Sequence, residues 1–340
     1  MTMKIYKLLI IVFGLCYLSA SPAKTFKIAT AAPDGTYWMK QIRAGAKEIK
    51  MRTNGRVKFK FYPGGVMGSE EVVMKKIRIH QLQGAAVSNG ILGRFYPESQ
   101  IYALPMLFNN FAEVDYIRNI FDRKIIEGLE KGGMISFGLS EGGFSYVMST
   151  RPINKTGDLS QYKVWTPTNN KQAEMTLKSI GISPIPLNLG DVLPSLQTNL
   201  IDTVTVVPIG AIALQWHTQI KHVANVPLMY VYATLLIDKN EFNKIGRDDR
   251  NIVKEILGKV FKRIDQKNRK DNLSAFNALS NQGIEIFTPD KNDLKKWYAE
   301  GEKARQTIRS GGIMSERMIE DVIQYLTEFR KKHESAGEAR

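Results

Sequence analysis

The 340-residue chain contains one cysteine, Cys16, and four histidines. Cys16 lies inside an N-terminal apolar stretch, so a chain freed of that stretch has no thiol, which excludes a disulfide, a thiolate metal site and a cysteine nucleophile. A lipid anchor on Cys16 would need small residues just before it, and Phe13, Gly14 and Leu15 fit that badly. His217 and His222 are five residues apart, His80 and His333 are distant, and none stands in a metal-ligand spacing with carboxylates. The chain also lacks a phosphate-binding glycine loop, a dinucleotide fingerprint and a Gly-x-Ser-x-Gly elbow. SEGGFSYV, around Ser145, has no helix-opening context for a nucleophile, and its glycines read as turn residues. Glu70 and Glu71 are explained by a helix start. Nothing here asks for an enzyme, a metal or a cofactor.

Apolar residues make up 43% of the chain, enough for one large or two medium domains with real cores. The first 23 residues stand apart. Lys4 and Lys7 precede an uncharged run from Leu8 to Leu18, and Ser19, Ala20, Ser21, Pro22 and Ala23 follow it, in the order of a secretory signal peptide. The run is too short for a comfortable membrane span. Cleavage is expected after Ala23, with Ala20 as the alternative, and the mature protein is expected to be exported. The net charge is +15, and losing Lys4 and Lys7 takes it to +13. The positive residues are scattered: Lys75, Lys76 and Arg78; Lys262, Arg263, Lys267, Arg269 and Lys270; Arg330 to Lys332. Scatter and export both argue against nucleic acid as a partner, leaving a solvated basic surface attracted to anionic lipid or an acidic partner.

Two stretches repeat one plan without repeating residues. In the first, a strand at Thr25 to Ala29 leads through Pro33 to Gly35 into a helix with Trp38, Ile42, Ala46 and Ile49 on one face. Val57, Phe59 and Phe61 then alternate with polar residues as in a half-buried strand. Ser69 is a good N-cap for a helix reaching His80, and Gln81 to Ser88 reads as another strand. In the second, a helix at 171–180 precedes an extended stretch at Ile182 to Leu187, Gly190 and Asp191 open another helix, and Ile201 to Val207 is a nearly continuous apolar run. Helices alternating with short buried strands imply an α/β sheet in each stretch. From Asp248 to Asn281 the pattern is helical: Ile252, Ile256, Val260 and Ile264 share a face, and Leu273, Phe276 and Leu279 carry the stripe onward. One helix of that length spans both lobes; the alternative is two helices broken near Asp271 and Asn272. The expected fold is α/β, two-lobed and hinged around a central cleft, and such clefts bind small ligands.

The chain resembles the solute receptors, or P subunits, of TRAP transporters, the DctP-type periplasmic solute-binding proteins. The resemblance is carried by KIATAAPDGTYWMKQIRAGAKEIKMRTNGRVKFKFYPGGVMGSEEVVMKKI, LPMLFNNFAEVD, STRPINKTGDLSQYKVWTP, IGISPIPLNLGDVLPSLQTNLIDTV and ATLLIDKNEFNKI, in that order. It divides the chain into lobe I at 24–142, lobe II at 143–231, a return to lobe I at 232–270 that starts the bridging helix, and 271–330 completing lobe II with the C-terminal helices. A polar tail at 331–340 remains. It also implies a receptor that closes around a solute and delivers it to membrane permease subunits, with an additional periplasmic accessory protein admitted as a partner.

The resemblance sharpens one position. Family members that bind carboxylates usually carry arginine where YKVWTP has Trp165. Indole has one donor, no charge and a large apolar face, so the usual two-pronged carboxylate contact is missing. Thr203 to Pro208 likewise reads as mostly aliphatic where many relatives have amides or acids. The candidate ligand-binding set is Trp165, Trp38, Tyr62, Asn89, Phe144, Tyr146, Pro167, Val206, Val207 and Trp216. Trp165 either lines the cleft or fills core. The leading expectation is a small apolar, neutral or amphipathic solute. The alternatives are an organic acid held by another basic residue, such as Arg94 or Arg151, and an exported sensor or scaffold protein.

Overall fold

The computed structural model describes residues 23–153 and 155–337. Nearly all of the expected signal peptide lies outside them, and the first strand, β1 (Lys24–Thr30), begins directly after Ala23. It is followed by α1 (Tyr37–Arg52), β2 (Val57–Tyr62), α2 (Glu70–Arg78) and β3 (Gly84–Ser88). Thr36 and Ser69 cap the two helices by accepting from Met39 N and Val72 N, as their short hydroxyl side chains favour. Strands β1, β2 and β3 are parallel, with Ala29 opposite Tyr62 and Thr30 opposite Ala86. Next come α3 (Asn89–Leu92), a 3-10 segment (Pro97–Ala103), α4 (Phe111–Lys131), β4 (Met134–Ser136) and β5 (Ser140–Ser149).

Lobe II holds β6 (Trp165–Pro167), α5 (Lys171–Ser179), β7 (Ile185–Leu187), α6 (Val192–Gln197), β8 (Thr203–Val206), α7 (Pro208–Ala213) and β9 (His222–Ala224). Strand β10 (Met229–Asp238) returns to lobe I, followed by α8 (Lys239–Asn243) and α9 (Arg247–Asn281). Then come β11 (Glu285–Phe287), α10 (Lys291–Ser310) and α11 (Glu316–Gly337). The main sheet runs β2-β1-β3-β10-β5-β9-β11, with β4 on β10 and β8 on β5. Strands β5 and β10, ten residues each, are the two shared strands. They pair with each other from Ser140 to Ser145; beyond that β5 pairs with β8 and β9, while the far half of β10 pairs with β3 and β4.

Lobe I buries both faces of its sheet, as side-chain alternation along a strand requires. Ala29, Ala85, Val87 and Leu236 pack toward α4 and α11, whereas Phe26, Ile28, Leu235 and Ile237 pack toward α1 and α9. Helix α9 is continuous for 35 residues, about 52 Å at 1.5 Å per residue, so the two-helix alternative does not hold. Val253, Ile256, Leu257, Val260, Phe261 and Ile264 seat it on lobe I, and Leu279 with Phe276 seats it on lobe II. One expectation fails on this helix. Leu273 is 56% exposed, and the buried stripe runs through Asn272 instead. The C-terminal helix α11 lies on lobe I, with Met318, Ile319, Val322 and Leu326 in one cluster with Val114, Ile117 and Phe121 of α4. Its helical backbone runs on to Gly337, through most of the segment expected as a tail.

Candidate functional site

In open α/β sheets, ligands gather at the carboxyl ends of parallel strands, where loops leave and helices begin. Lobe I presents such an edge at Thr30, Tyr62 and Ser88, and lobe II at Pro167, Leu187 and Val206. The two edges meet where the backbone of Gly90, in the first turn of α3, comes so close to Asn170 that a Cβ there would lie 2.8 Å from its amide nitrogen. Asn170 is the N-cap of α5, accepting from Ala173 N, so its position follows from the helix start.

Trp165 opens β6 and is 7% exposed. Its indole N–H donates to the Leu187 carbonyl at 3.1 Å, which satisfies its one polar group inside lobe II. Its ring meets Trp216 edge-on, centroids 5.2 Å apart, in a cluster with Met148, Val204 and Val206. Trp216 is 1% exposed.

The other candidates fall into distinct places. Tyr146, opposite Val206 across the β5–β8 ladder, is half-buried and packs against core clusters of both lobes, with Phe276 of α9 at 5.0 Å. Phe144 is buried on the lobe I side, its ring 4.9 Å from Phe111 and 5.9 Å from Tyr230. Tyr62 is half-buried at the end of β2, with the Lys60 ammonium 5.2 Å over its ring. Asn89 is buried and its carbonyl accepts from Gln100 Nε2 at 2.6 Å. Pro167 is exposed, and Val207 is half-buried ahead of α7. Trp38 packs on the opposite face of the lobe I sheet, edge-on to Phe261, with its buried indole nitrogen unpartnered among the described residues. The structure therefore brings Trp165, Trp216, Val206 and Tyr146 together, gathers Tyr62, Phe144 and Tyr146 around the lobe I core, and leaves Trp38 apart.

The two arginines considered as substitute anchors are already engaged. Arg94 forms an ion pair with Glu71, which lowers the Glu71 pKa. Arg151 lies 3.6 Å from Asp202, stacks 4.3 Å from the Tyr162 ring and donates to the Gln161 carbonyl. Glu70 does more than open a helix: it accepts from both the amide and the hydroxyl of Ser88, at the carboxyl end of β3. Burial raises its pKa against those bonds and the attraction of Arg94.

Sequence reading missed the junction between the lobes. Gly142 and Gly143 are not turn residues but a β-bulge inside β5: Val231 pairs with Gly143 and Tyr232 with Glu141, leaving Gly142 unmatched. Gly143 has φ +94°, a conformation open chiefly to glycine. Helix α9 satisfies the carbonyls that the bulge frees, with Asn268 Nδ2 donating to Glu141 O and Asn272 Nδ2 to Gly142 O, both at 2.6 Å. Asn272 Oδ1 also accepts from Ile209 N of α7. Around this point Arg118 donates to Asp122, Asp265, Tyr230 and the Leu139 carbonyl, and Arg269 pairs with Glu141 and Asp115. Burial pushes the Tyr230 hydroxyl well up, and that hydroxyl donates to Glu141. Burial works to lower Arg118, yet Tyr230, Asp122 and Asp265 leave its pKa raised. The only hint in the sequence was the Gly-Gly pair, which reads alike for a turn and a bulge.

Residues 28–310 match the family model described as bacterial extracellular solute-binding protein, family 7, or DctP. The chain belongs to that family. The sialic acid-binding periplasmic protein SiaP of Vibrio cholerae is 22% identical over 284 residues, 82% of this chain and 87% of that protein. A TRAP periplasmic solute binding protein from Xanthobacter autotrophicus, solved with β-D-galacturonate, superimposes with a TM-score of 0.80 at 19% identity, over 88% of this chain and 98% of that one. The sugar acid binding protein DctPAm of Advenella mimigardefordensis, solved with galactonate, gives a TM-score of 0.82 at 17% identity, over 90% and 99%. DctP proteins bind solutes and are not enzymes, and the two-lobed architecture of this chain is theirs. Among the described residues no three His, Cys, Asp or Glu side chains are grouped to hold a metal, and no helix is long and apolar enough to cross a membrane.

Proposed function

We propose that this DctP protein is the exported receptor of a TRAP-type transporter, cleaved near Ala23, that closes its two lobes on a small solute and passes it to membrane permease subunits. The solute is apolar, neutral or amphipathic. The observation that carries this reading is Trp165: at the position where carboxylate binders of the family place a guanidinium, a buried indole spends its one donor on Leu187 and supplies no charge to the wall in front of it. With Trp165 and Trp216 behind them, Tyr146, Val206 and Val207 form the lobe II wall; Pro167 marks its rim, and Tyr62, Asn89 and Phe144 stand on the lobe I side. Trp38 supports lobe I from behind the sheet. Glu70 beside Ser88 favours a ligand that donates hydrogen bonds, a hydroxyl or an amide, over a second negative charge. The engagement of Arg94 and Arg151 with acids tells against the organic-acid alternative.

Galactonate and galacturonate occupy structural neighbours, so acids set the test. With an indole at 165 and Arg94 and Arg151 engaged by Glu71 and Asp202, desolvating the one carboxylate of galacturonate or the two of succinate and malate goes uncompensated. Calorimetric titration with succinate, malate and galacturonate is expected to show no binding tighter than about millimolar, or about −4 kcal/mol. Micromolar binding of any of the three would replace this solute class with an acid.

A further inference from the structure

A second candidate site lies on the side of the lobe II strands turned away from Trp165. Val164 and Trp165 are neighbours and point to opposite faces. Behind Val164 lies a cavity of about 290 Å³, bounded by Val147 and Thr205 of the sheet, Leu177 of α5, Trp297 with Glu300 on α10, and Pro105 with Met106 from the lobe I segment. The walls are mainly aliphatic and aromatic, with threonines, Ser160 and Lys296 among them. Two polar atoms stand out: Trp297 is 3% exposed and its indole N–H has no partner among the described residues, and Glu300 Oε2 is buried without one among them. A buried polar group left unpaired costs about 1–3 kcal/mol, so two on one cavity, an obligate donor and an acceptor, call for a group that completes both.

We infer that this cavity binds a small neutral molecule with an apolar body of ring size and one hydroxyl, which accepts from Trp297 Nε1 and donates to Glu300 Oε2. A hydroxyl does both at once; a carboxylate would face Glu300 and an ammonium would face the indole N–H. A volume near 300 Å³ is at the small end of ligand pockets, above the roughly 150 Å³ of an engineered cavity that takes benzene. The site is independent of the solute bound between the lobes, and none of the residues assigned to that cleft lines it.

Benzyl alcohol and toluene, one body with and without the hydroxyl, are suitable probes for titration calorimetry on the mature protein. Benzyl alcohol is expected to bind one per chain and roughly tenfold more tightly than toluene. Trp297→Phe keeps the wall and deletes the N–H, so it is expected to bring the two affinities together. Ala304→Leu fills the cavity and is expected to weaken both at least tenfold; should that variant unfold, the phenylalanine variant carries the test alone. No binding of either probe, equal binding of both to the native protein, or affinities untouched by Trp297→Phe would overturn the assignment, the two orphan groups then being served by water.

Discussion

At the scale of single residues, Trp165 is held twice, by a hydrogen bond to a carbonyl 22 residues away and by an edge-on ring contact with Trp216. The two holds can be separated. Trp165→Phe keeps most of the ring contact and removes the indole donor from the Leu187 carbonyl, which keeps only the longer 3.3 Å bond from Thr168 N, and is expected to lower stability by about 1 kcal/mol. Trp165→Ala also opens a cavity between Trp216 and Val204 and is expected to cost about 3–5 kcal/mol. Urea unfolding of the two variants beside the native chain measures both values; equal, small losses would show that the indole is not packed as described. Neither partner of Trp165 was legible from sequence. A strand-end tryptophan announces that it must be covered, but the parallel pairing of β6 with β7 decides which carbonyl receives its N–H.

At the scale of elements, the apolar periodicity of α1, β2, α2 and the start of α9 was readable because local spacing and tertiary burial agree there. They part company at the lobe junction. The stripe on α9 passes through Asn268 and Asn272 because the bulge in β5 leaves backbone carbonyls that only a donor can satisfy, and Leu273 is turned outward as a consequence. An apolar residue at 272 would fit the helical pattern better and the structure worse. Asn272→Leu strands the Gly142 carbonyl and the Ile209 amide and is expected to destabilise the protein by about 2–4 kcal/mol, read from the urea midpoint. A neutral or stabilising result would mean that the bulge has no need of the helix. The position of α11 was equally hidden: an amphipathic C-terminal helix fits either lobe by its pattern, and only the groove beside α4 selects lobe I.

At the scale of the whole molecule, the two lobes are joined by β5, β10 and α9, all three meeting at the Gly142–Gly143 bulge and its surrounding ion pairs. The two-lobed α/β plan was legible because two stretches repeat the order of helices and buried strands, and the length of α9 was legible from its apolar stripe. The bulge was not, since its signature is a change of partner between two strands far apart in sequence. A receptor of this design works through differential contact: a solute touching both lobes favours the closed arrangement, and one touching a single lobe leaves the equilibrium unchanged. The most direct test is small-angle scattering of the mature protein before and after addition of the solute that co-purifies with it from the native host. The account predicts a smaller radius of gyration at saturation, reversed when the solute is dialysed away; an unchanged radius with the solute demonstrably bound would contradict closure and with it the receptor mechanism.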